Sequence, residues 1–175
     1  LTIQEKKRRL KGLKLAYVGD GNNVTNSLIE AAAKMGMTIA VGCPPGYQPD
    51  RRIVELSLAE AERTGAVIEI GSDPSVAVKD ADVVYTDVWI SMGQEREQAK
   101  RLKTLAPYQL NARLLKCAKP DALVMHCLPA HRGEEISAEV LDGPQSVVFD
   151  QAENRLHMQK AILVRLLGKK TARKT

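Results

Sequence analysis

The sequence predicts an α/β fold: a doubly wound, mostly parallel five-stranded sheet with helices on both faces. Short apolar stretches alternate with longer amphipathic stretches along almost the whole chain. Such alternation produces right-handed βαβ units, whose crossover helices cover both faces of a parallel sheet. Polar and glycine-rich segments follow the first, fourth and fifth apolar stretches. In a Rossmann-like strand order of 3-2-1-4-5, these segments meet at the crevice between strands 1 and 4.

Each strand is predicted from a run of apolar and β-branched residues bounded by turn-forming or charged residues. The strands are expected at residues 13–18, 37–41, 66–70, 82–86 and 122–125. Apolar residues three and four positions apart predict the helices. The helices are expected at residues 1–11, 24–35, 50–64, 74–79, 95–105, 108–118 and 153–167. A sixth short apolar run, at residues 146–149, leads into the last helix.

Composition and charge exclude several classes of protein. No apolar run approaches the roughly 18 residues of a membrane helix, so we expect a soluble chain with no membrane contact. The net charge of +5 comes largely from basic clusters near the two ends, and the chain has one Trp, four Tyr and one Phe, so we expect no nucleic-acid partner. Three cysteines form neither an even set nor a CxxC pair, which favours reduced thiols in the cytoplasm or an organelle matrix.

The segment after the first strand contains Gly19 and Gly21, as in a dinucleotide-binding turn. The third glycine of that motif is replaced by Val24, and no acidic residue ends the second strand. Two glycines that allow a tight turn therefore explain the segment better than a cofactor site does. Asn22 and Asn23 begin the next helix, where an amide can cap the helix and donate to a ligand carboxylate.

The loop after the fourth strand, DVWISMGQE, has the chemistry to bind an amino acid. Ser91, Met92 and Gly93 can offer successive N–H groups to an anion, while Asp87 can hold an ammonium group. An ordinary polar loop, with Asp87 as a cap at the end of the strand, accounts for these residues equally well on the sequence alone.

The fifth strand leads into HCLPAHRGEE, which places a cysteine between histidines. Cys127 is a candidate nucleophile, metal ligand or polar positioning group, and a reduced core cysteine beside a solvated loop remains an alternative. Covalent catalysis needs a base oriented on the thiol. His126, Cys127 and His131 do not have the spacing of a standard zinc set, so we expect no metal.

Three motifs, DVWISMGQE, HCLPAHRGEE and FDQAENRLHMQ, resemble in sequence and order the C-terminal, ornithine-binding half of the ornithine carbamoyltransferases. The resemblance covers about residues 1–168. It implies direct attack of the δ-amine of L-ornithine on carbamoyl phosphate, which gives citrulline and phosphate without a cofactor. It implies catalytic roles for Cys127 and Asp87, which would orient the amine and help it lose a proton.

The resemblance also implies the substrate contacts. Those to ornithine are Asn23, Asp87, Ser91 and Met92, with Asn23 on the α-carboxylate. Those to carbamoyl phosphate are Cys127, Leu128 and Arg155, with the Leu128 carbonyl accepting from the carbamoyl NH₂. A site for aspartate would require basic residues facing a second carboxylate, so the SMG sequence favours ornithine.

The same resemblance implies the domain organisation. Residues 1–12 would be part of a connector helix between two domains, 13–152 the ornithine-binding domain, 153–168 a helix packing toward an N-terminal domain, and 169–175 a disordered basic tail. The chain begins with Leu, so we expect a processed product or an excised fragment. The phosphate-binding motifs SxRT and HPxQ of the N-terminal domain do not occur in the sequence.

Without those motifs we expect no turnover by this chain alone, because the phosphate has no cradle. We expect a homotrimer for the full-length enzyme but not for this chain, and weak self-association through the apolar face of the last helix. The alternatives are a carbamoyltransferase for a related amine, a nicotinamide-binding Rossmann module, and a non-catalytic amino-acid-binding domain.

Overall fold

The computed structural model describes residues 1–90 and 97–168 and contains a five-stranded sheet in the order β3-β2-β1-β4-β5. Every neighbouring pair is parallel. The strands are β1 Lys14–Val18, β2 Thr38–Gly42, β3 Val67–Gly71, β4 Val83–Thr86 and β5 Leu123–His126. The predicted fold class and strand order are therefore confirmed, and β1 and β4 lie side by side where the winding direction reverses.

The helices are α1 Thr2–Lys7, α2 Asn23–Met35, α3 Arg51–Thr64, α4 Pro74–Val78, α5 Gln98–Leu105, α6 Ala112–Leu115, α7 Ala138–Leu141 and α8 Val148–Leu167. They cover both faces of the sheet, as alternate residues of β1 show. Leu15 and Tyr17 belong to one buried cluster, which includes Ile29 of α2. Ala16 and Val18 belong to a second cluster on the other face. Both faces of the central strand are therefore core.

The boundaries of α2 and α3 follow from local capping. The side chains of Asn22 and Asp50 accept from N–H groups in the first turns of these helices. Each helix ends at a glycine in the left-handed conformation, Gly36 and Gly65. These signals are visible in the sequence, and the predicted boundaries of both helices differ from the observed ones by one residue.

The prediction of one helix at residues 108–118 is wrong. A 3-10 turn, Ala106–Tyr108, is followed by an extended segment in which the Leu110 N–H donates to the Glu135 carbonyl at 2.9 Å. The Asn111 side chain then accepts from the Leu114 N–H, so α6 begins only at Ala112. Helix α7 was not predicted, and α1 ends at Lys7 because Arg8 adopts a left-handed conformation. Of the helix predicted at 95–105, residues 95 and 96 lie outside the described part.

The last helix begins at Val148, earlier than residue 153, so that Val147 is its N-cap and Val148 and Phe149 of the apolar run at 146–149 belong to its first turn. Its first turns pack onto the sheet and onto α1, with Val148 and Asn154 buried. From residue 156 onward the apolar side chains are exposed, and we call residues 156–167 the distal part of α8. None of the described helices combines the length and the hydropathy needed to cross a bilayer.

Candidate functional site

The carboxyl ends of β1, β4 and β5 meet at one carboxylate, that of Asp87. Asp87 follows β4 directly and is buried. The Asn22 Nδ2 group, from the loop after β1, donates to Asp87 Oδ2 at 2.8 Å. The Cys127 thiol, from the loop after β5, donates to Asp87 Oδ1 at 2.9 Å. Three of the chain's most polar loops therefore converge on Asp87 at the predicted edge of the sheet.

The orientation of the Asn22 amide is fixed by α2. Its Oδ1 accepts from the N–H groups of Val24 and Thr25 at 2.9 and 3.2 Å, so its NH₂ group must face Asp87. Asn23 occupies the first position of α2 and is exposed. It lines an open polar cavity of about 730 Å³ together with residues of the loop after β2 and of α5. The direct contact to Asp87 is thus made by Asn22, and Asn23 faces the cavity.

The Cys127 thiol is held in its protonated form. Burial of the thiol and its hydrogen bond to the Asp87 carboxylate raise its pKa to about 12. A thiolate is the reactive form of cysteine, so a thiol that keeps its proton at neutral pH is a poor nucleophile. Among the three roles considered for Cys127, the geometry favours the polar positioning group.

A second set of hydrogen bonds joins α8 to the ends of β4 and β5. The Gln151 Oε1 atom accepts from the His126 N–H at 3.1 Å, and the Gln151 Nε2 group donates to the Tyr85 hydroxyl at 2.9 Å. Burial raises the pKa of Tyr85, so its hydroxyl keeps its proton.

The loop after β5 is folded back by a buried histidine and glutamate. His126 Nδ1 accepts from the Leu128 N–H at 2.9 Å, so Nε2 carries the ring proton and donates to Glu135 Oε1 at 3.1 Å. The same Glu135 oxygen accepts from the His131 N–H at 2.6 Å. Leu128 lies in the left-handed region at φ 58°. Glu135 is fully buried, and its part in shaping the loop was missed from the sequence.

The donor atoms of Asp87, His126 and Cys127 lie within 4.8 Å of one another. This set does not fit a metal ion, because both ring nitrogens of His126 already have partners inside the protein. The thiol would also have to lose a proton that its surroundings retain.

A buried ion pair joins α5 to the loops after β1 and β4. Arg101 pairs with Asp20, its Nε donates to the Trp89 carbonyl at 2.7 Å, and its guanidinium lies 5.0 Å from the centre of the Tyr47 ring. Burial raises the pKa of Asp20, while Arg101 acts in the opposite direction. This pair could not be predicted from the sequence, because Arg101 lies in a charge-rich stretch typical of a solvated helix.

Gly21 is required by a close contact within the chain. Its N–H donates to the Tyr47 carbonyl at 2.8 Å, and a Cβ atom at this position would overlap the backbone of Tyr47 and Pro49. The space beside this glycine is filled by residues 47–49, where a dinucleotide site would leave it open to a pyrophosphate.

The other residues predicted to contact the substrates are Ser91, Met92, Leu128 and Arg155. Ser91 and Met92 lie outside the described residues. Leu128 is half-buried within the loop described above, and Arg155 is exposed on α8, one turn after Gln151. The predictions for these residues stay predictions.

Residues 11–166 match the family described as aspartate/ornithine carbamoyltransferase, Asp/Orn binding domain. The ornithine carbamoyltransferase of Geobacillus stearothermophilus is 59% identical over 167 residues, which are 95% of this chain and 54% of that protein. The solved structure of ornithine carbamoyltransferase from Pyrococcus furiosus superimposes with a TM-score of 0.90 at 55% identity, over 93% of this chain and 52% of that one. The enzyme from Gloeobacter violaceus gives 0.88 at 52% identity, over 95% and 55%. The chain spans about half the length of the curated relatives it matches.

Proposed function

The chain belongs to the aspartate/ornithine carbamoyltransferase family, in its Asp/Orn binding domain, and we propose that it is the ornithine-binding half of an ornithine carbamoyltransferase. The whole enzyme would transfer the carbamoyl group of carbamoyl phosphate to the δ-amine of L-ornithine. The new C–N bond forms as the C–O bond to phosphate breaks, and the products are citrulline and phosphate.

The observation that carries this proposal is the convergence of Asn22, Asp87 and Cys127 at the carboxyl edge of the sheet. An alkyl ammonium with a pKa of about 10 must lose a proton before its nitrogen can attack. A buried carboxylate attracts the ammonium form and would accept the proton that this group loses, and the neighbouring thiol fixes the carboxylate's orientation. Asp87 would therefore hold the δ-nitrogen, and Cys127 would orient it without becoming a covalent nucleophile.

The α-carboxylate of ornithine would bind near the start of α2. Asn23 is exposed at the first position of this 13-residue helix, whose N-terminal end carries a partial positive charge. Ser91 and Met92 are proposed as further ornithine contacts on the motif alone. In this arrangement the two charged ends of the amino acid meet groups of opposite sign.

Carbamoyl phosphate would bind between this chain and a second domain. Leu128 and Cys127 are proposed to contact the carbamoyl group, and Arg155 on α8 to bind its phosphate. We propose that residues 1–12 belong to a connector, residues 13–152 to the ornithine domain and residues 153–168 to a helix that packs on the second domain. A homotrimer is proposed for the whole enzyme, and a reducing compartment, cytoplasm or mitochondrial matrix, suits the three unpaired cysteines of this chain.

Calorimetric titration of this chain with L-ornithine tests the proposal. We expect binding that Asp87→Asn weakens at least tenfold, because the variant keeps the shape of the side chain but removes the charge that attracts the ammonium. Asp73→Asn, which changes an exposed carboxylate that caps α4, is the matched control and should leave the affinity within twofold. Citrulline formation should stay undetectable when carbamoyl phosphate is added.

A parallel titration with NAD tests the alternative that the chain is a nicotinamide-binding Rossmann module. Binding of NAD in place of ornithine would overturn the proposal. We expect no NAD binding, because residues 47–49 fill the space beside Gly21. Equal ornithine affinity in the wild type and in Asp87→Asn would remove Asp87 from the site.

A further inference from the structure

The loop after β5 contains a buried carboxylate of which only one oxygen has a partner. Glu135 is fully buried, and its Oε1 atom accepts from His126 Nε2 and from the His131 N–H. Its Oε2 atom is also buried, and no donor among the described residues is hydrogen-bonded to it. A buried carboxylate oxygen without a partner is unfavourable, because it has given up its water without receiving a donor in exchange. This oxygen therefore has the charge and the lone pairs to bind a cation.

Two further side chains with metal-binding atoms lie close to Glu135. His131 Nδ1 lies 3.8 Å from Glu135 Oε2. One donor atom from each of His131, Glu134 and Glu135 lies within 4.8 Å of the other two. Zinc binds imidazole nitrogen and carboxylate oxygen at about 2.0–2.2 Å, so two ligands of a tetrahedral ion are roughly 3.4 Å apart. The three donor atoms are thus close to the separations that such an ion requires.

We infer that His131, Glu134 and Glu135 form a binding site for a divalent transition-metal ion, Zn²⁺ by its ligand chemistry. The site shares only His131 with the set of His126, Cys127 and His131, for which the sequence predicts no metal, and it contains no thiol. One imidazole and two carboxylates leave the fourth position of a tetrahedral ion to water. The imidazole selects against Ca²⁺ and Mg²⁺, which prefer oxygen ligands throughout.

The backbone brings the three ligands together. The Glu134 N–H donates to the His131 carbonyl at 3.0 Å in a tight turn, and Gly133 at the third position of this turn has a φ of 89°. The Gln109 Nε2 group donates to the carbonyls of Gly133 and Glu134, both at 2.9 Å. The His131 side chain is 53% exposed, so an ion reaches Glu135 from the solvent side of the turn. Only side-chain rotation is then needed to close the ligands around the ion.

An ion at this position would stiffen the loop that carries Cys127 and Leu128. Glu135 already joins the His131 N–H, in the middle of the loop, to His126 at the end of β5. The ion adds a second link between His131 and Glu135. The inference goes beyond the proposed function and does not rest on it, because neither ornithine nor carbamoyl phosphate takes part.

Calorimetric titration of this chain with Zn²⁺, in a Cys117→Ser background that removes an exposed thiol, tests the inference. We expect one Zn²⁺ per chain, and no saturable binding would overturn the inference. Glu134→Gln keeps the size of the side chain but removes its charge, so it should weaken binding at least tenfold, as should His131→Ala. Neither side chain has a hydrogen bond within the described residues, so both variants should melt like the parent in EDTA.

His157→Ala is the matched control. His157 and Glu153 are spaced like His131 and Glu135, with 3.5 Å between His157 Nε2 and Glu153 Oε1, and the two histidine side chains are equally exposed. The Glu153 side chain is 72% exposed, so this pair offers no buried carboxylate, and His157→Ala should leave the affinity for Zn²⁺ within twofold. Equal losses in His157→Ala and His131→Ala would mean unselective binding by surface histidines and would contradict the inference.

Titration with Co²⁺ identifies the type of ligand. We expect the visible bands of nitrogen and oxygen ligation without the charge-transfer band of a thiolate, whereas a thiolate band would place the ion on Cys127 and reject the site. Ca²⁺ or Mg²⁺ binding as tightly as Zn²⁺ would also reject it, because an unselective carboxylate cluster would explain both. Ornithine titration in EDTA is read separately: a chain that binds Zn²⁺ but no ornithine would keep the metal site and weaken the proposed function.

Discussion

At the carboxyl edge of the sheet, polar side chains from three loops and α8 are paired with one another, whereas the distal part of α8 extends its apolar side chains into solvent. Asp87, Cys127 and Gln151 all have hydrogen-bond partners within the chain. Leu166 and Leu167, by contrast, are 73% and 78% exposed. The difference indicates that the polar groups at this edge are paired within the described part of the chain, while the apolar side chains of the distal part of α8 are not covered by it.

The largest effect is expected at the paired edge, from Glu135→Ala. This change leaves the fully buried His126 Nε2–H without its acceptor, and it also removes the acceptor of the partly buried His131 N–H. An unsatisfied buried donor costs about 1–3 kcal/mol, so we expect the free energy of unfolding to fall by about 3 kcal/mol. For a chain of this size that lowers Tm by roughly 6–12 °C in a thermal melt.

Its neighbour Glu134 is the matched control, because it contributes only its backbone N–H and carbonyl to the described hydrogen bonds of this loop. Glu134→Ala should change the free energy of unfolding by no more than about 0.5 kcal/mol. If Glu135→Ala and Glu134→Ala lowered the free energy of unfolding equally, the hydrogen bonds of Glu135 would make no specific contribution to stability.

A smaller effect is expected on the reactivity of Cys127 in Asp87→Asn. The Asp87 carboxylate raises the pKa of this thiol in addition to the effect of burial, so removing the charge should lower that pKa and raise the thiolate population. We expect alkylation at pH 8.5 to accelerate about tenfold, equivalent to one pKa unit. Cys117, which is exposed and outside the site, serves as the internal reference in the same digest. A ratio of the two rates that does not change would show that Asp87 does not act on the thiol.

The smallest effect on stability is expected in the distal part of α8. Leu163→Glu combined with Leu166→Glu replaces two exposed apolar side chains, so the free energy of unfolding should change by less than about 0.5 kcal/mol. The same variant should reduce the binding of a hydrophobic dye and any concentration-dependent association, because it removes exposed apolar area. A loss of several kcal/mol would show that this part of the helix packs within the chain after all.

The sheet was predictable because alternating strands and helices leave few topologies, and α2 and α3 because their caps are local in sequence. Residues 146–149 show the limit of this reasoning. A short apolar run has the same pattern at the start of a buried helix as in a strand. The packing of the run decides between the two. The Val147 N–H donates to the carbonyl of Val124 in β5, and α8 starts at the next residue, Val148.

The loops that form the site could be predicted from the sequence, but most of the hydrogen bonds between their side chains could not. Asp87 and Cys127 were expected near each other because parallel strands end at one edge of the sheet. Glu135 was not, because its approach to His126 requires the chain to reverse through Leu128 in a left-handed conformation that no periodic pattern announces. The hydrogen bonds of Gln151 were not predicted either, because a glutamine near the start of an exposed helix is typical of a solvated surface.

The thiol of Cys127 also has a consequence for oxidative damage. Peroxide attacks the thiolate, and the first product, a sulfenic acid, forms in proportion to that ionised fraction. The Cys127 sulfur borders an open site, but its pKa of about 12 keeps it protonated at neutral pH. It is therefore slow to oxidise. Partial burial and the contact with Asp87 together allow a cysteine to border the site without being easily oxidised.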